Sequence, residues 1–296
     1  MRSARLFAVI ICAALIFCAC GTRIEPPNIV SGPVVTDAPP VKPAYPISFD
    51  NENFESAPAS VASLSPAITE ILYDIGAADK LVAISDYCDY PMGVAGTPVI
   101  GSPARPDIDA IIALKPELLI TQSPMASRDV LTLKQEGIRV LEMAAPSSYA
   151  ELCDAYIKLA MIFYGAVDFT DIAYPVLERL DSQMSAAQEL GVSKSFVVVE
   201  AESPDGLMLS HGDTLCSEML SVFGGNLWED SERYTATDDE LFILAPEVVF
   251  YARGLDRDDI EEVFPYSQLI EIDLERFERP TVRLSQVISE CADKLG

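Results

Sequence analysis

The sequence predicts an α/β protein of two similar lobes, each built on a mostly parallel sheet, joined by one long helix. Three observations lead there: apolar runs that alternate with amphipathic stretches, a pair of internal matches, and one helical stripe between the copies. The runs are Val61–Leu64, Val82–Ser85, Leu118–Thr121, Val140–Met143, Phe196–Glu200, Val248–Tyr251 and Leu269–Asp273. Short strands separated by helical lengths make βα units, which pair as parallel sheets. Residues 69–77 (TEILYDIGA) match 217–225 (SEMLSVFGG), and residues 109–121 (DAIIALKPELLIT) match 239–251 (DELFILAPEVVFY). In the second pair a helix ends at a Pro-Glu step and a strand begins. Two matches in the same order mark an internal repeat.

Between the copies, Ile172, Val176, Leu180, Met184, Ala187 and Leu190 share roughly one helical face. Pro175 marks either the first turn or a kink there, and Gly191 supplies the stop. The expected boundaries are 59–166 for the first lobe, 167–191 for the linking helix and 192–296 for the second lobe. A single helix is a stiff connection, so large hinge closure is expected to be difficult.

The first residues belong to export rather than to the fold. Arg2 and Arg5 precede an unbroken apolar run from Leu6 to Cys18, then Ala19, Cys20 and Gly21. A basic start, a short apolar stretch and small residues at a cleavage point make a signal peptide over residues 1–19, too short to span a bilayer as a helix. A cysteine straight after the small residue reads as a lipobox, with Cys20 the lipidated N-terminus; a plain secretory signal is the other reading. Residues 20–58 carry Pro26, Pro27, Pro33, Pro39, Pro40, Pro43, Pro46 and Pro58 without a helical or strand period, and read as an extended spacer. Anchor and spacer together would hold the body off the outer face of a bacterial cytoplasmic membrane.

Of the 296 residues, 46 are Asp or Glu and 20 are Lys or Arg, a formal net charge of −26. Export removes Arg2 and Arg5 and leaves 18 basic residues against the same 46 acidic ones, or −28. Half of the chain is hydrophobic, ample for a packed core, which excludes a disordered acidic chain. Nucleic acid is excluded as well, because its phosphates need clustered Lys and Arg. His211 is the single histidine, so sites that need two or three are ruled out. Cys88, Cys153, Cys216 and Cys291 lack CxxC spacing. Reduced, buried thiols are expected, with no resident metal or cofactor.

Ligand sites in open α/β sheets lie beyond the carboxyl ends of the strands. Here those ends are Leu64–Ala67, Ser85–Pro91, Glu200–Pro204 and Tyr251–Gly254. Ser65 ahead of Pro66 is a helix N-cap signature; it either caps or meets a polar ligand at the helix N-terminus. His211 opens the loop His211-Gly212-Asp213-Thr214 and should lie near the cleft. It is either an ordinary polar contact or an axial ligand to cobalt or haem iron.

Leu64-Ser-Pro-Ala-Ile-Thr-Glu70, Asp86-Tyr-Cys-Asp-Tyr-Pro91, Ala113-Leu-Lys-Pro-Glu-Leu-Leu-Ile120 and Phe223-Gly-Gly-Asn226 stand in a telling order and spacing. Over residues 59–296 they give a chain that resembles the substrate-binding proteins of ABC importers for cobalamin and ferric siderophores, most nearly the cobalamin branch. The resemblance implies two Rossmann-like lobes bridged by one rigid helix, a ligand in the cleft between them, and an inner-membrane permease with its ATPase as partners. It implies a monomer without covalent chemistry. Asp86–Pro91 is similar to a segment whose first tyrosine contacts cobalamin, here Tyr87. Arg276-Phe277-Glu278-Arg279 is similar to a loop that lies over the corrin ring, and flat aromatic faces with a few donors suit a broad macrocycle.

Other implications of the resemblance stay open. One acid on each lobe meets permease arginines in the family, and those positions fall on Asp109 and Asp239. The family usually has glutamate there, so Asp107 or Glu240 could substitute; acids favoured by a helix dipole are the plainer reading. Trp228 is the only tryptophan, and Pro103 and Arg276 fall near two places where cleft tryptophans are expected. Arg105 and Arg253 could instead face carboxylate or catecholate oxygens of an iron chelate, or Arg253 could pair with Asp256 or Asp258 at the rim. The cobalamin branch can bridge its second-lobe helix to its C-terminal helix. Cys291 fits one end, but Phe223 holds the other, with Cys216 two turns earlier.

The reading is a surface-anchored receptor that delivers a corrinoid to an ABC permease. A ferric siderophore or haem is the alternative cargo, and a binding module for a signalling partner is a third reading. A lipid-anchored hydrolase would need a nucleophile near His211, and the chain has no GxSxG, P-loop or GxGxxG.

Overall fold

The computed structural model describes residues 44–49, 52–228 and 235–296. The signal segment, Cys20 and the spacer as far as residue 43 lie outside the described residues. The described residues form one compact unit, and among them no helix is long and apolar enough to cross a membrane.

The body begins earlier than residue 59. Strands β1 (Ile47–Phe49) and β2 (Glu52–Phe54) pair antiparallel, with Ile47 opposite Phe54. That pair is buried, and the Arg139 guanidinium lies 4.5 Å from the centre of the Phe54 ring. The spacer reading therefore fails at its C-terminal end. Two apolar residues on one face of a hairpin anchor a segment whose prolines had suggested an unpaired chain.

The first lobe follows as β3 (Val61–Ser63), α1 (Pro66–Asp74), β4 (Leu81–Ile84), the short pair β5 (Gly101–Ser102) and β6 (Arg105–Pro106), α2 (Ile108–Leu114), β7 (Leu118–Thr121), α3 (Ser127–Gln135) and β8 (Arg139–Glu142). Its sheet is parallel throughout, in the order β4-β3-β7-β8. After α4 (Tyr149–Glu189) the second lobe runs β9 (Lys194–Ser203), β10 (Gly206–Leu209), α5 (Leu215–Leu220), β11 (Gly224–Asn226), β12 (Thr235–Ala236), α6 (Asp238–Leu244), β13 (Val248–Ala252), α7 (Arg257–Val263) and β14 (Gln268–Ile272). Helices α8 (Glu275–Glu278) and α9 (Leu284–Leu295) end the chain. The second sheet is ordered β12-β10-β9-β13-β14, with β11 also beside β9. β11, β13 and β14 run parallel to the shared framework, and β10 and β12 antiparallel.

Strand side chains alternate between faces, and here both faces are covered. Val61, Leu118, Ile120, Phe196, Val198, Val248 and Phe250 join one large central cluster. Ala62 and Leu119 turn to the outer core of the first lobe, and Val197, Val199, Val249 and Tyr251 to that of the second. This explains why these strands read as unbroken apolar runs. The central cluster includes Tyr156, Leu159, Leu177 and Leu180 of α4, so the two sheets share one core through it.

The internal repeat is real in three dimensions. Helices α2 and α6 both end on a left-handed residue, Lys115 (φ 48°) and Ala245 (φ 42°), each directly before a proline. Proline disfavours right-handed helix in the residue ahead of it, so both helices stop at the same place. The glutamates that follow also match in role. Glu117 accepts the Ala59 N–H at 2.8 Å, and Glu247 the Ser195 N–H at 3.0 Å.

The linking helix occupies 166–189, close to the expected 167–191, and a bend at Gly165 sets it off from the helical arm before it. Gly165 interrupts α4 with φ 82° and ψ 173°, a region open essentially to glycine alone. Tyr149 hydroxyl meets the Asp181 carboxylate, 32 residues on, whereas unbroken helix would hold them about 48 Å apart. Residues 149–164 and 166–189 are therefore two antiparallel arms. The break falls at Gly165 and not at Pro175, which stays inside the second arm. The chain's entry plugs the corner: Ala166 N–H donates to Ala44 O at 2.7 Å, and Tyr45 hydroxyl to Ile162 O at 2.9 Å.

Polar contacts then tie the C-terminal segment to the first lobe. Glu70 of α1, its side chain 2 % exposed, accepts from Arg283 at 2.8 Å and from Thr281 at 3.0 Å. Tyr156 hydroxyl donates to Asp74 at 2.6 Å and accepts the Val282 N–H at 3.0 Å. Arg179 of the second arm lies 3.6 Å from Asp74.

Candidate functional site

A cavity of about 440 Å³ lies between the segment after β8 in the first lobe and the loops and helices of the second. That volume suits a small-molecule site. Pro146 and Ser147, just ahead of α4, form one wall; Glu200, Ser210, His211, Asp213–Cys216, Leu274, Phe277 and Glu278 form the rest. A depression of about 560 Å³ between the second arm of α4 and α9 lies away from the strand ends, so it does not share the geometry expected of the fold's ligand site.

The wall around His211 is held by a compact network. Asp213 N–H donates to His211 Nδ1 at 3.2 Å, which makes Nδ1 an acceptor and places the proton of the neutral ring on Nε2. Ser217 hydroxyl donates to His211 O at 2.8 Å, and Asn226 Nδ2 donates to Ser210 O at 2.9 Å and to Ser217 Oγ at 2.8 Å. Asn226 closes the Phe223-Gly-Gly-Asn segment, and a side chain on Gly224 would put Cβ 1.7 Å from Lys194 O. The segment's glycine is thus needed for β11 to lie against β9 and bring Asn226 under the loop.

Glu200 is placed by a strand that the sequence reading ended too soon. β9 continues to Ser203 and turns into β10, so Glu200 sits within β9 and its carboxylate accepts from the buried Ser210 hydroxyl. Behind them Cys216 is buried. Its thiol is pushed well up, first by burial and then by the charges of Glu200 and Cys291. Burial likewise pushes Cys291 up to about 12. Cys88, Cys153, Cys216 and Cys291 are all free thiols, with no Cys216–Cys291 bridge; Cys216 and Cys291 are buried as expected, but Cys88 and Cys153 are only half-buried.

Three of the residues singled out above reach the cavity. His211, Phe277 and Glu278 line it. Tyr87 stands in the loop after β4, 55 % exposed, and its N–H is tied to Ser85 Oγ at 3.1 Å. The same loop is pinned from below by Cys88, whose sulfur is 3.2 Å from Thr69 Oγ1.

The arginines are placed otherwise. Arg279 bonds Asp89 at 2.9 Å across 190 residues, and the Arg283 guanidinium lies 3.8 Å from the centre of the Tyr90 ring. The Tyr87 loop and the 276–279 segment are therefore brought together by an ion pair. Arg276 bonds Asp273 at 3.1 Å and also Gln286. These groups enclose a separate recess of about 90 Å³ with Asp89, Asp273 and Arg283. Arg253 pairs with Glu271 and Asp273 at 3.3 and 3.4 Å, not with Asp256 or Asp258, because β13 and β14 pair side by side. Arg105 is exposed on the short β6.

Ser65 is 4 % exposed and caps α1: its Oγ accepts the Ile68 N–H at 3.3 Å and donates to Gln122 Oε1. Trp228 is buried in the outer core of the second lobe and does not line the cavity. Gln122 Nε2 is buried with no partner among the described residues. Asp109 and Asp239 are both exposed on the matching helices α2 and α6. Their stated substitutes are engaged, since Asp107 caps α2 and Glu240 closes the capping box of α6.

Residues 61–264 match the family model described as "Periplasmic binding protein". The chain belongs to the periplasmic binding protein family. It is a substrate-binding protein of the ABC-importer class and not an enzyme. Among its relatives, an uncharacterized ABC transporter substrate-binding lipoprotein, YvrC of Bacillus subtilis, is 24% identical over 99% of this chain and 97% of that protein. The vitamin B12-binding protein of Photorhabdus laumondii is 25% identical over 75% of this chain and 81% of its own length. The same fold recurs in two Vibrio cholerae proteins. The vitamin B12-binding protein BtuF has a TM-score of 0.63 at 23% identity, over 80% of this chain and 96% of that one. The heme-binding protein HutB has a TM-score of 0.67 at 18% identity, over 79% and 97%. Both lobes of the family fold are thus accounted for by the two parallel-rich sheets above.

Proposed function

We propose that this periplasmic binding protein captures a corrinoid, held off the outer face of the membrane by a lipid on Cys20, and hands it to an ABC permease. The state of the arginines carries the choice of cargo. Gripping the anionic oxygens of an iron chelate takes Arg or Lys aimed at them, and Arg253, Arg276 and Arg279 are each engaged by carboxylates of this chain. The cavity lining includes an aromatic residue, Phe277, beside Leu215 and Leu274, with Ser147, Ser210 and Thr214. Such a wall suits the broad face and amide rim of a corrin ring. Relatives that bind vitamin B12 support the same reading. Haem is the second reading, favoured by His211 in the cavity wall, where an imidazole could serve as an axial ligand.

Absorbance titration of the purified protein with cyanocobalamin and with haemin separates the two. Cobalamin is expected to bind at micromolar levels or tighter, and Phe277→Ala to weaken it by roughly 1–2 kcal/mol, as loss of a central aromatic contact does. Haemin binding without cobalamin binding would sink the corrinoid reading.

Asp109 and Asp239 are the docking acids in this proposal. They are exposed, lie at equivalent points of the repeat, and are not used in capping, unlike Asp107 and Glu240. The double variant Asp109→Asn/Asp239→Asn is expected to leave cargo affinity unchanged and to cut uptake by more than about tenfold, since each lobe loses a charged contact with its partner. Unchanged uptake would remove both residues from docking.

A further inference from the structure

The cavity wall is charged in one sense only. Glu200, Asp213 and Glu278 contribute three carboxylates, and among its described lining residues there is no Lys or Arg. These acids come from three separate segments: strand β9, the loop before α5, and the end of α8. None is neutralised by an ion pair within the described residues of that wall. The nearest arginines, Arg276 and Arg279, face the neighbouring recess and are held there by Asp273 and Asp89. Glu200 is fixed in place by the buried Ser210 hydroxyl, so it cannot swing away from an unwelcome charge without leaving that donor unpaired. At physiological ionic strength charges within about 8 Å act on one ligand together, and a cleft walled in apolar groups focuses such a field.

We infer that Glu200, Asp213 and Glu278 form a charge filter: the cavity takes a cargo of net positive charge and turns away macrocycles rimmed with carboxylates. This rests on the corrinoid reading for the identity of the cargo, but the filter is a property of the wall. For corrinoids it selects the cationic form that lacks the nucleotide phosphate over the neutral, phosphate-bearing one. For iron chelates it would select a cationic trihydroxamate over an anionic tricatecholate.

The test uses five probes and the full-length mature protein. Three are corrinoids: aquocobinamide (cationic), cyanocobalamin (neutral) and a corrin with free side-chain carboxylates (anionic). Two are iron chelates, a cationic ferric trihydroxamate and an anionic ferric tricatecholate. Affinities are read by absorbance and intrinsic fluorescence at low and high salt. Aquocobinamide is expected to bind about tenfold or more tightly than cyanocobalamin, and the anionic corrin at least a hundredfold more weakly than aquocobinamide. The spread should shrink in high salt. Glu200→Gln, Asp213→Asn and Glu278→Gln should each narrow the cation-to-anion ratio, and the triple variant should abolish it. Equal affinity for the cationic and anionic corrins would overturn the filter while leaving the corrinoid reading intact. Binding of the cationic trihydroxamate alone, with no corrinoid bound, would end the corrinoid reading and support the filter. Binding of no probe would overturn both.

Discussion

Gly165→Ala is expected to lower the unfolding free energy by about 2–5 kcal/mol, read as a fall in urea midpoint at unchanged slope. Two costs combine at this position. With φ 82° and ψ 173°, Gly165 occupies backbone space that residues bearing Cβ avoid. An added Cβ would also stand 2.7 Å from both Cβ and O of Ala44, closer than packed atoms approach. Two companions separate the costs. Gly137 has the same φ and nothing within 4 Å of its notional Cβ, so Gly137→Ala should cost only about 1–2 kcal/mol. Ala44→Gly removes one of the two clashing atoms but leaves the carbonyl, so in the Gly165→Ala background it should restore part of the loss. If Gly165→Ala costs no more than Gly137→Ala, the corner between the arms of α4 is not the tight junction described above. The functional stake is lobe placement. The second arm carries Leu177 and Leu180 into the core shared by both sheets, so loosening the corner loosens the frame that sets the width of the cleft.

The regular parts of this fold could be read from sequence because single residues dictated them. Parallel strands buried on both faces must be apolar throughout, and VVFY at 248–251 shows it without ambiguity. The repeat was legible because a proline after a helix forces the same stop in each copy. The start of the linking helix was legible to within a residue or two, but the helical arm before it, 149–164, and the sharp bend at Gly165 were not, since a glycine alone does not declare its φ. The β9–β10 turn did leave a signal in Pro204-Asp205-Gly206, a turn sequence with a known mechanism, and with it Glu200 would have been placed inside a strand. The site resisted for a different reason. Arg253 was matched to Asp256 and Asp258 because they are close in sequence, yet Asp256 is spent capping α7. Its true partners, Glu271 and Asp273, become neighbours only when β14 pairs with β13. Likewise Glu200, Asp213 and Glu278 become a single charged wall only through convergence of three distant segments.

Arg283→Met should be the most damaging single change to the polar tie between the C-terminal segment and the first lobe, costing about 3–5 kcal/mol at neutral pH. Glu70 would then be a carboxylate with a 2 % exposed side chain and only Thr281 to serve it. The pH dependence follows from how Glu70 is held. Burial raises its pKa above the ordinary value of 4.5, with Arg283 and Thr281 pulling it back and the charge of Asp74 adding to the rise. The folded chain therefore keeps a proton on Glu70 to higher pH than the unfolded chain does. The associated stability is fully present below the unfolded value and is lost as pH rises through the folded one. Removing Arg283 takes away the largest downward influence, so the folded value climbs and the loss extends to higher pH. The variant should thus lie near wild type in acid and fall progressively behind as pH rises from about 4.5 to neutrality. Adding Glu70→Gln should recover most of the deficit, because an uncharged buried amide no longer needs the guanidinium. A deficit that stays constant with pH would assign the cost to the lost stacking of Arg283 on Tyr90 rather than to a stranded carboxylate.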